Sequence, residues 1–468
     1  MRSQSIVWFA TAATATLLPA QTSFSSQHGL PPFSVQLSPD TAAVCNSSTP
    51  GTAGWIDSDD DSHMFFWLYE SKNNPTSDPV ILFMSGGPGG SSTGAGALME
   101  LGPCQISSDG EHTLDNPYGW NANATLLFID QPLTVGYSYG GRMPRNLKDA
   151  TTNTHRFLQQ FFVAFEQLSE LDFYITGESY GGSWVPALGA RIVERQQSDL
   201  AMVIQSSTGY MPKHINLKGI AVGNGLFRQS VQSSGLFESA CKGPDAIFNP
   251  AQCDRLEPLA SRCEILESVC EEFGYDSVGC KTAASVCGVF FEVFAELGRN
   301  PYDWRQRCSG DVLTCYSSLR GIETLMALND TRKALGVPDQ VSYALLSEEV
   351  ITAWNEEDEI WKPSHQYVNY LLDMDVRVLI YVGNTDFLCQ YGGMRRLVNE
   401  GLSWHHQPSF RYRPLREWYV DGQRAGLGKA IEPLSYMEVE QSGHLVPFDK
   451  PVEALAMINS WIQRSLPW

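Results

Sequence analysis

Asp172-Phe173-Tyr174-Ile175-Thr176-Gly177-Glu178-Ser179-Tyr180-Gly181 decides how this chain is read, because a short apolar run ends there abruptly on Gly-x-Ser-x-Gly. Phe173 to Thr176 fits a buried strand, and the residues after Gly181 are compatible with a helix. A turn from strand to helix this sharp leaves no room for bulky neighbours, which accounts for the glycines on both sides of Ser179. A serine held there projects its hydroxyl beyond the strand end, and the adjacent helix N-terminus favours developing negative charge. The five-residue pattern alone is weak in a chain with 40 glycines, so its meaning depends on what surrounds it.

A serine hydroxyl is a poor nucleophile near neutrality and needs a base, which in turn needs an orienting carboxylate. After a turn of this kind the chain order is Ser, then Asp or Glu, then His. Asp386 follows the apolar run Val376 to Val382, in Gly383-Asn384-Thr385-Asp386, where a strand end would deliver it. Of the nine histidines only His405, His406 and His444 come later. His405 and His406 sit in a polar stretch, whereas His444 lies on the Gly/Pro-bounded loop Gln441 to Pro447, after the apolar Tyr436 to Val439. Upstream, Ser85-Gly86-Gly87-Pro88-Gly89-Gly90-Ser91-Ser92 follows the strand-like Val80 to Met84. It lacks the lysine of a phosphate-binding loop, which argues against an NTPase. A backbone amide there would form one half of an oxyanion hole, with the N–H of Tyr180 as the other.

Further apolar runs, Met64 to Tyr69, Thr125 to Ile129 and Gly219 to Val222, alternate with helical patterns at Thr152 to Leu168 and Val452 to Ile462. That rhythm predicts an α/β fold with a mostly parallel central sheet covered by helices on both faces. Residues 226–350 break it, with eight cysteines between Cys241 and Cys315, short helical patterns and no clear parallel strand. The predicted organisation is a signal peptide over 1–20, a surface segment over 21–60 and a core over 61–225 and 351–468. Residues 226–350 form an inserted disulfide-rich helical cap.

Composition narrows the function. With 32 Lys+Arg against 52 Asp+Glu the net charge is -20, which excludes counterion-driven nucleic-acid binding and disfavours anionic membranes. A hydrophobic share of 43% is ample for a core. Eleven cysteines indicate an oxidising compartment. Arg2, the apolar Ile6 to Leu18 and the polar segment after Ala20 read as a cleaved signal, and no later apolar run approaches the roughly 20 residues of a membrane span. A secreted protein is expected, with a vacuolar or lysosome-like compartment as the alternative. Asn46, Asn123 and Asn329 head glycosylation sequons. There is no H-E-x-x-H, and the clustered cysteines lack paired C-x-x-C spacing, so no metal or other cofactor is expected.

Taken together the chain resembles the serine carboxypeptidases of the α/β-hydrolase fold, most closely their carboxypeptidase Y-like branch. The resemblance is carried by His63 to Trp67, Ser85 to Ser92, Glu100-Leu101-Gly102-Pro103, Asp130-Gln131-Pro132, Val135 to Tyr139 and Gly177 to Gly182. It continues through Gly223-Asn224-Gly225, Asn300-Pro301-Tyr302-Asp303, Asp386 and Gly443 to Lys450. It implies Ser179 as nucleophile, His444 as general base then acid, Asp386 as its orienter, and the N–H groups of Gly87 and Tyr180 as the oxyanion hole. It also implies that Ser85, Gly86, Glu100 and Glu178 hold the terminal carboxylate of a peptide substrate. Two carboxyl groups bind a third only with shared protons, hence an acidic operating range. Leu388, Cys389, Tyr316 and Leu445 are expected to line apolar side-chain pockets.

Cysteine spacing agrees with the family's cap and suggests Cys263–Cys287 nested around Cys270–Cys280, beside Cys241–Cys253 and Cys308–Cys315, although spacing alone leaves many pairings open. The resemblance makes Cys389 a free thiol near the site, which leaves Cys45 and Cys104 over as the candidates for a fifth pair. Two positions depart from the family: Ser85 stands where asparagine is usual and Gly90 where cysteine is usual. The short stretch before the first matching segment leaves no room for a long propeptide. An esterase or acyltransferase on the same scaffold is the alternative that Ser85 favours, and a non-catalytic secreted glycoprotein is the alternative of a different class. Oligomeric state is not legible.

Overall fold

The computed structural model describes residues 18–468 except 50, 108, 206–211, 244–245, 276 and 309–314. The predicted signal peptide lies, through residue 17, outside the described residues.

One thirteen-stranded sheet organises the chain. In chain order its main strands are β1 (Gln21–Phe24), β2 (Phe33–Leu37), β3 (Gly51–Asp57), β4 (Ser62–Tyr69), β5 (Val80–Met84), β6 (Thr125–Ile129), β7 (Phe173–Glu178), β8 (Leu217–Gly223), β9 (Arg377–Gly383), β10 (Arg416–Val420), β11 (Gln423–Ile431) and β12 (Leu434–Val439). Six run parallel through the centre in the order β6-β5-β7-β8-β9-β12. All residues of β5, β6, β7 and β9 are buried, as strands covered on both faces require.

Alternate residues of these strands feed two cores, as the two-residue period of a strand dictates. Leu82, Met84, Ile175 and Ile380 join the cluster built with α1 (Leu147–Ala164) and α2 (Gly181–Gln205), whose Phe157, Phe161, Trp184 and Leu188 cover one face. Ile81, Phe83, Leu379 and Tyr381 join the other, with Leu98 from the π-helix Ser92–Glu100 and Met457 and Trp461 from the helix Pro451–Ile462. α1 begins five residues before the predicted start because Asn146 caps it, its Oδ1 accepting from the Asp149 N–H at 2.8 Å.

Residues 21–60 are not the surface segment their composition suggested. Three of the strands lie there and extend the sheet antiparallel from β4, with Val35, Trp55 and Ile56 buried. The Trp55 indole N–H donates to the Tyr137 carbonyl at 3.0 Å. The abundance of Pro, Ser, Thr and Gly hides a short in-out alternation, Phe33 and Val35 facing inward across Ser34.

The insertion is helical and cross-linked. Its long helix α3 (Pro250–Glu272) starts on a reciprocal cap, Asn249 and Gln252 each accepting from the other's backbone N–H, with Pro250 at the first helical position. Cys263–Cys287 and Cys270–Cys280 tie α3 to α4 (Ser277–Cys287), while Cys241–Cys253 and Cys308–Cys315 close loops of their own and Cys45–Cys104 lies in the core. The helical run Val278–Ala295 is long and apolar enough by composition to span a bilayer, a segment that does not stand out in the sequence because Lys281 and Glu292 punctuate it. Two of its cysteines are bonded to α3. The insertion also holds a small antiparallel pair, Arg299–Asn300 with Asp303–Arg307.

Candidate active site

The C-terminal ends of the parallel strands form one edge of the sheet, and the loops leaving it carry most of the predicted site. β5 runs into Ser85–Gly90, β7 into Ser179, β8 into Asn224, β9 into Asp386 and β12 into His444. Ligands of open parallel sheets bind at this edge.

Ser179 sits in the turn between β7 and α2 with φ of +57°, a left-handed conformation that is strained for a side-chain-bearing residue. Close packing and hydrogen bonds hold it there. The Ser179 carbonyl accepts from the N–H groups of Gly182 at 2.9 Å and Leu226 at 2.8 Å. A Cβ on Gly86 would come within 2.4 Å of Ser179 Cβ and 2.8 Å of the Tyr180 nitrogen, and one on Gly177 within 2.5 Å of the Met84 carbonyl. The missing side chains therefore let the Gly86-Gly87 backbone lie directly against the Ser179-Tyr180 turn.

Asp386 and His444 are joined by a 2.7 Å bond between Oδ2 and Nδ1, and both are buried. The carboxylate also accepts from the Leu388 N–H at 2.9 Å, the Cys389 N–H at 3.2 Å and Asn224 Nδ2 at 2.8 Å. Asn224 bonds on its other side to the Gly383 N–H through Oδ1 at 3.0 Å. Its role was missed in the sequence, where the only signal is a polar residue between two glycines at a strand end. His444 Nε2 is buried and makes no hydrogen bond in this conformation. It lines the same 320 Å³ cavity as Ser179, but the predicted Ser-His hydrogen bond is not made in this conformation.

That cavity is lined by Ser85, Gly86, Gly87, Glu178, Tyr302, Tyr316 and Leu445, together with Leu345 and Leu346 of a strap that returns from the insertion. The strap is bridged to the Ser85–Ser92 loop at Gly90–Leu346, the Ser91 N–H donating to the Leu345 carbonyl at 2.8 Å. Leu388 and Cys389 line a separate, neighbouring cavity of 430 Å³, so the expected pocket residues divide between two spaces. Glu100 does not line the triad's cavity. It stands one layer behind, its buried carboxyl meeting that of Glu178. Burial pushes the Glu100 carboxyl up to about 7. Glu178 is raised well above the usual carboxylate range by burial first and by the Glu100 charge second. Both carboxyls are thus biased toward the protonated form in this dry site, although neither Glu100 oxygen makes a hydrogen bond in this conformation.

Cys389 is unpaired, and burial, with the Asp386 charge second, raises its thiol well above the ordinary value. Ligand atoms of Asp386, Cys389 and His444 lie within 4.8 Å of one another, as do those of Cys263, Glu267 and Cys287. In the first set Asp386 and His444 already bond each other, and in the second both sulfurs are in a disulfide. Neither offers the free thiolate and imidazole lone pairs a metal needs.

The fold defines the class first. The chain superposes on a prohormone-processing carboxypeptidase from Saccharomyces cerevisiae with a TM-score of 0.76 at 20% identity, covering 91% of this chain and 94% of that one, and the shared fold is the α/β-hydrolase. Residues 44–464 match the serine carboxypeptidase family, and the chain belongs to it: it is a serine-type carboxypeptidase of the carboxypeptidase Y type. It is 36% identical over 418 residues to carboxypeptidase Y of Schizosaccharomyces pombe, a match covering 88% of this chain and 41% of that protein. It is 33% identical to a vacuolar serine-type carboxypeptidase of S. cerevisiae (88% and 78% covered) and 35% identical to carboxypeptidase Y of Candida albicans (88% and 72%). This chain thus spans less than half the length of the S. pombe relative.

Proposed function

We propose that the chain releases C-terminal residues from peptides and proteins at acidic pH through an acyl-enzyme at Ser179. His444 Nε2 takes the hydroxyl proton as Ser179 Oγ attacks the scissile carbonyl carbon, and the oxyanion is met by the N–H groups of Gly87 and Tyr180. As the C–N bond breaks, His444 gives that proton to the leaving amine, and water then releases the acyl group by the same relay. Asp386 keeps the imidazole in its working tautomer and orientation.

What restricts the reaction to the chain end is the Glu178–Glu100 pair beside Ser85 and Gly86. While the pair holds a proton, Glu178 donates to the substrate's terminal carboxylate; once deprotonated it repels it. The observation that carries the reading is this proximity: His444, paired to the buried Asp386, and Glu178, backed by the buried Glu100, line one cavity with Ser179. Residues 1–20 direct the chain into the secretory pathway. It works in an acidic, oxidising space, outside the cell or in a vacuole, away from membranes and nucleic acid. Exposed Asn46 and Asn329 and half-buried Asn123 are its glycan sites.

The test is mass spectrometry of a peptide with a free C-terminus, its amidated twin and a Ser179→Ala control at about pH 4 to 5. Stepwise loss from the free end alone, absent in the variant, is the expected result. Equal cleavage of the amidated peptide would overturn the carboxylate-recognition claim, and an active variant would overturn the nucleophile.

A further inference from the structure

The turn Asn300–Arg305, far from the triad in sequence, touches the backbone on both sides of Asp386 and His444 itself. Pro301 accepts from the Phe387 N–H at 3.0 Å, the Trp304 N–H donates to the Thr385 carbonyl at 3.0 Å, and the Tyr302 carbonyl accepts from the His444 N–H at 2.7 Å. At its centre is Asp303, fully buried, whose Oδ1 accepts from the Thr385 hydroxyl at 2.9 Å and from Arg305 Nε at 2.8 Å, and whose Oδ2 accepts from Arg305 Nη2 at 2.7 Å. The same guanidinium reaches the Gln441 carbonyl through Nη1 and Asp449 at 3.4 Å, and Asp449 accepts from the Gly443 N–H at 2.6 Å. The two loops also bond to each other, the Thr385 N–H donating to the Ser442 carbonyl at 2.8 Å. Gly443 makes the approach feasible, since a Cβ there would lie 2.3 Å from the Tyr302 carbonyl.

We propose that Asp303, with Arg305, is a positioning residue of the hydrolytic reaction: it locks the Asp386 loop and the His444 loop into one rigid unit from within the insertion. The proposal rests on the Asp386–His444 reading above. Asp303 does not line the cavity; it acts through Thr385 on one loop and through Arg305 and Asp449 on the other. A triad needs its members placed to a fraction of an ångström, and a misplacement of about 1 Å costs on the order of a hundredfold in rate. Removing this brace therefore lowers turnover and leaves substrate binding nearly intact, because Glu178, Ser85 and the Gly86-Gly87 backbone lie on other loops and Tyr302, the cavity-lining residue of this turn, keeps its carbonyl's bond from the His444 N–H.

The experiment compares Asp303→Asn, Arg305→Lys and Thr385→Val with the parent enzyme on a peptide with a free C-terminus. The same substitutions are made in a His444→Ala background and assayed on an activated ester, where residual turnover is measurable. Asp303→Asn is expected to lower kcat about 10- to 100-fold with KM within about twofold. The milder Thr385→Val and Arg305→Lys should lower it about 3- to 10-fold, and they keep the test readable if Asp303→Asn does not fold. In the His444→Ala background each further loss should shrink below about twofold, the signature of action through that residue. Unchanged kcat in folded variants, or losses of undiminished size without His444, would overturn the proposal. An active Ser179→Ala enzyme would instead sink the triad reading and the brace with it, so the two failures are distinguishable.

Discussion

The serine and the histidine sides of the triad are held by different physics. At Ser179 the work is steric: Gly86, Gly177 and Gly182 leave out atoms so that three backbones can lie against one another. At Asp386 and His444 it is polar, with the carboxylate saturated by donors from Asn224, Leu388, Cys389 and His444. Steric sites fail when anything is added, since backbone cannot yield. Hydrogen-bonded sites fail by degrees, according to how many partners the lost group served.

The polar side breaks hardest at its centre. Asp386→Asn should lower kcat on the order of 10⁴-fold with little change in KM, because the amide would offer donors where Asn224 and two backbone N–H groups already donate, and the imidazole would lose its orientation. A loss below about tenfold in steady-state assays would show that His444 is oriented by something else. On the steric side, Gly86→Ala should cost about 10² to 10³ in kcat, since its Cβ would press on Ser179 and on the Tyr180 nitrogen proposed as half of the oxyanion hole. A folded Gly86→Ala enzyme with parental kcat would mean that the close approach is not part of the reaction.

The same contrast explains how much of the molecule is legible in its sequence. Steric requirements are local and leave glycines in fixed places, so Gly177 to Gly182 and Ser85 to Gly90, each read with the apolar run before it, mark a strand-turn-helix and an opposing loop. The order of Asp386 and His444 is readable because both follow strong apolar runs that become β9 and β12. The roles of their supports are not: Asn224 and Asp303 come from distant segments, Asp449 stands five residues past His444, and a buried carboxylate looks like a surface one in a string of letters. Strands β1 to β3 escape notice for another reason, their apolar alternation being only two or three residues long within a polar composition.

A sharper comparison pits the polar triad against the carboxyl pair, because only the latter needs protons. Between about pH 4.5 and 7 the folded chain holds a proton at Glu100 that the unfolded chain releases, so this group's stabilisation is complete in acid and is lost as pH rises through about 7. Binding of a free C-terminus should follow the same course. KM for such a peptide is expected to rise about tenfold or more between about pH 5 and pH 8, while KM for an ester with no terminal carboxylate stays level. Glu178→Gln should flatten the rise, because its amide donates at any pH. A parallel rise for both substrates would place the titrating group in the triad and not in the pair.

The smallest effect should come from within the insertion, and it separates two regions of the cap. Replacing Cys270 and Cys280 by serine opens a loop whose ends are 10 residues apart, at the far end of the α3–α4 hairpin from the turn that meets the triad loops. Loop-closure entropy puts the stability loss at about 2–3 kcal/mol. Thermal unfolding should register that loss, while kcat changes by less than about twofold, since no bond from Asn300–Arg305 to Thr385, Phe387 or His444 passes through this disulfide. The cap would then be part scaffold and part machinery: a hairpin kept together by sulfur, and a turn that reaches the reacting groups through Asp303. A fall in kcat as large as that of Asp303→Asn would erase the division, because it would mean that the insertion transmits disorder to the triad as one body.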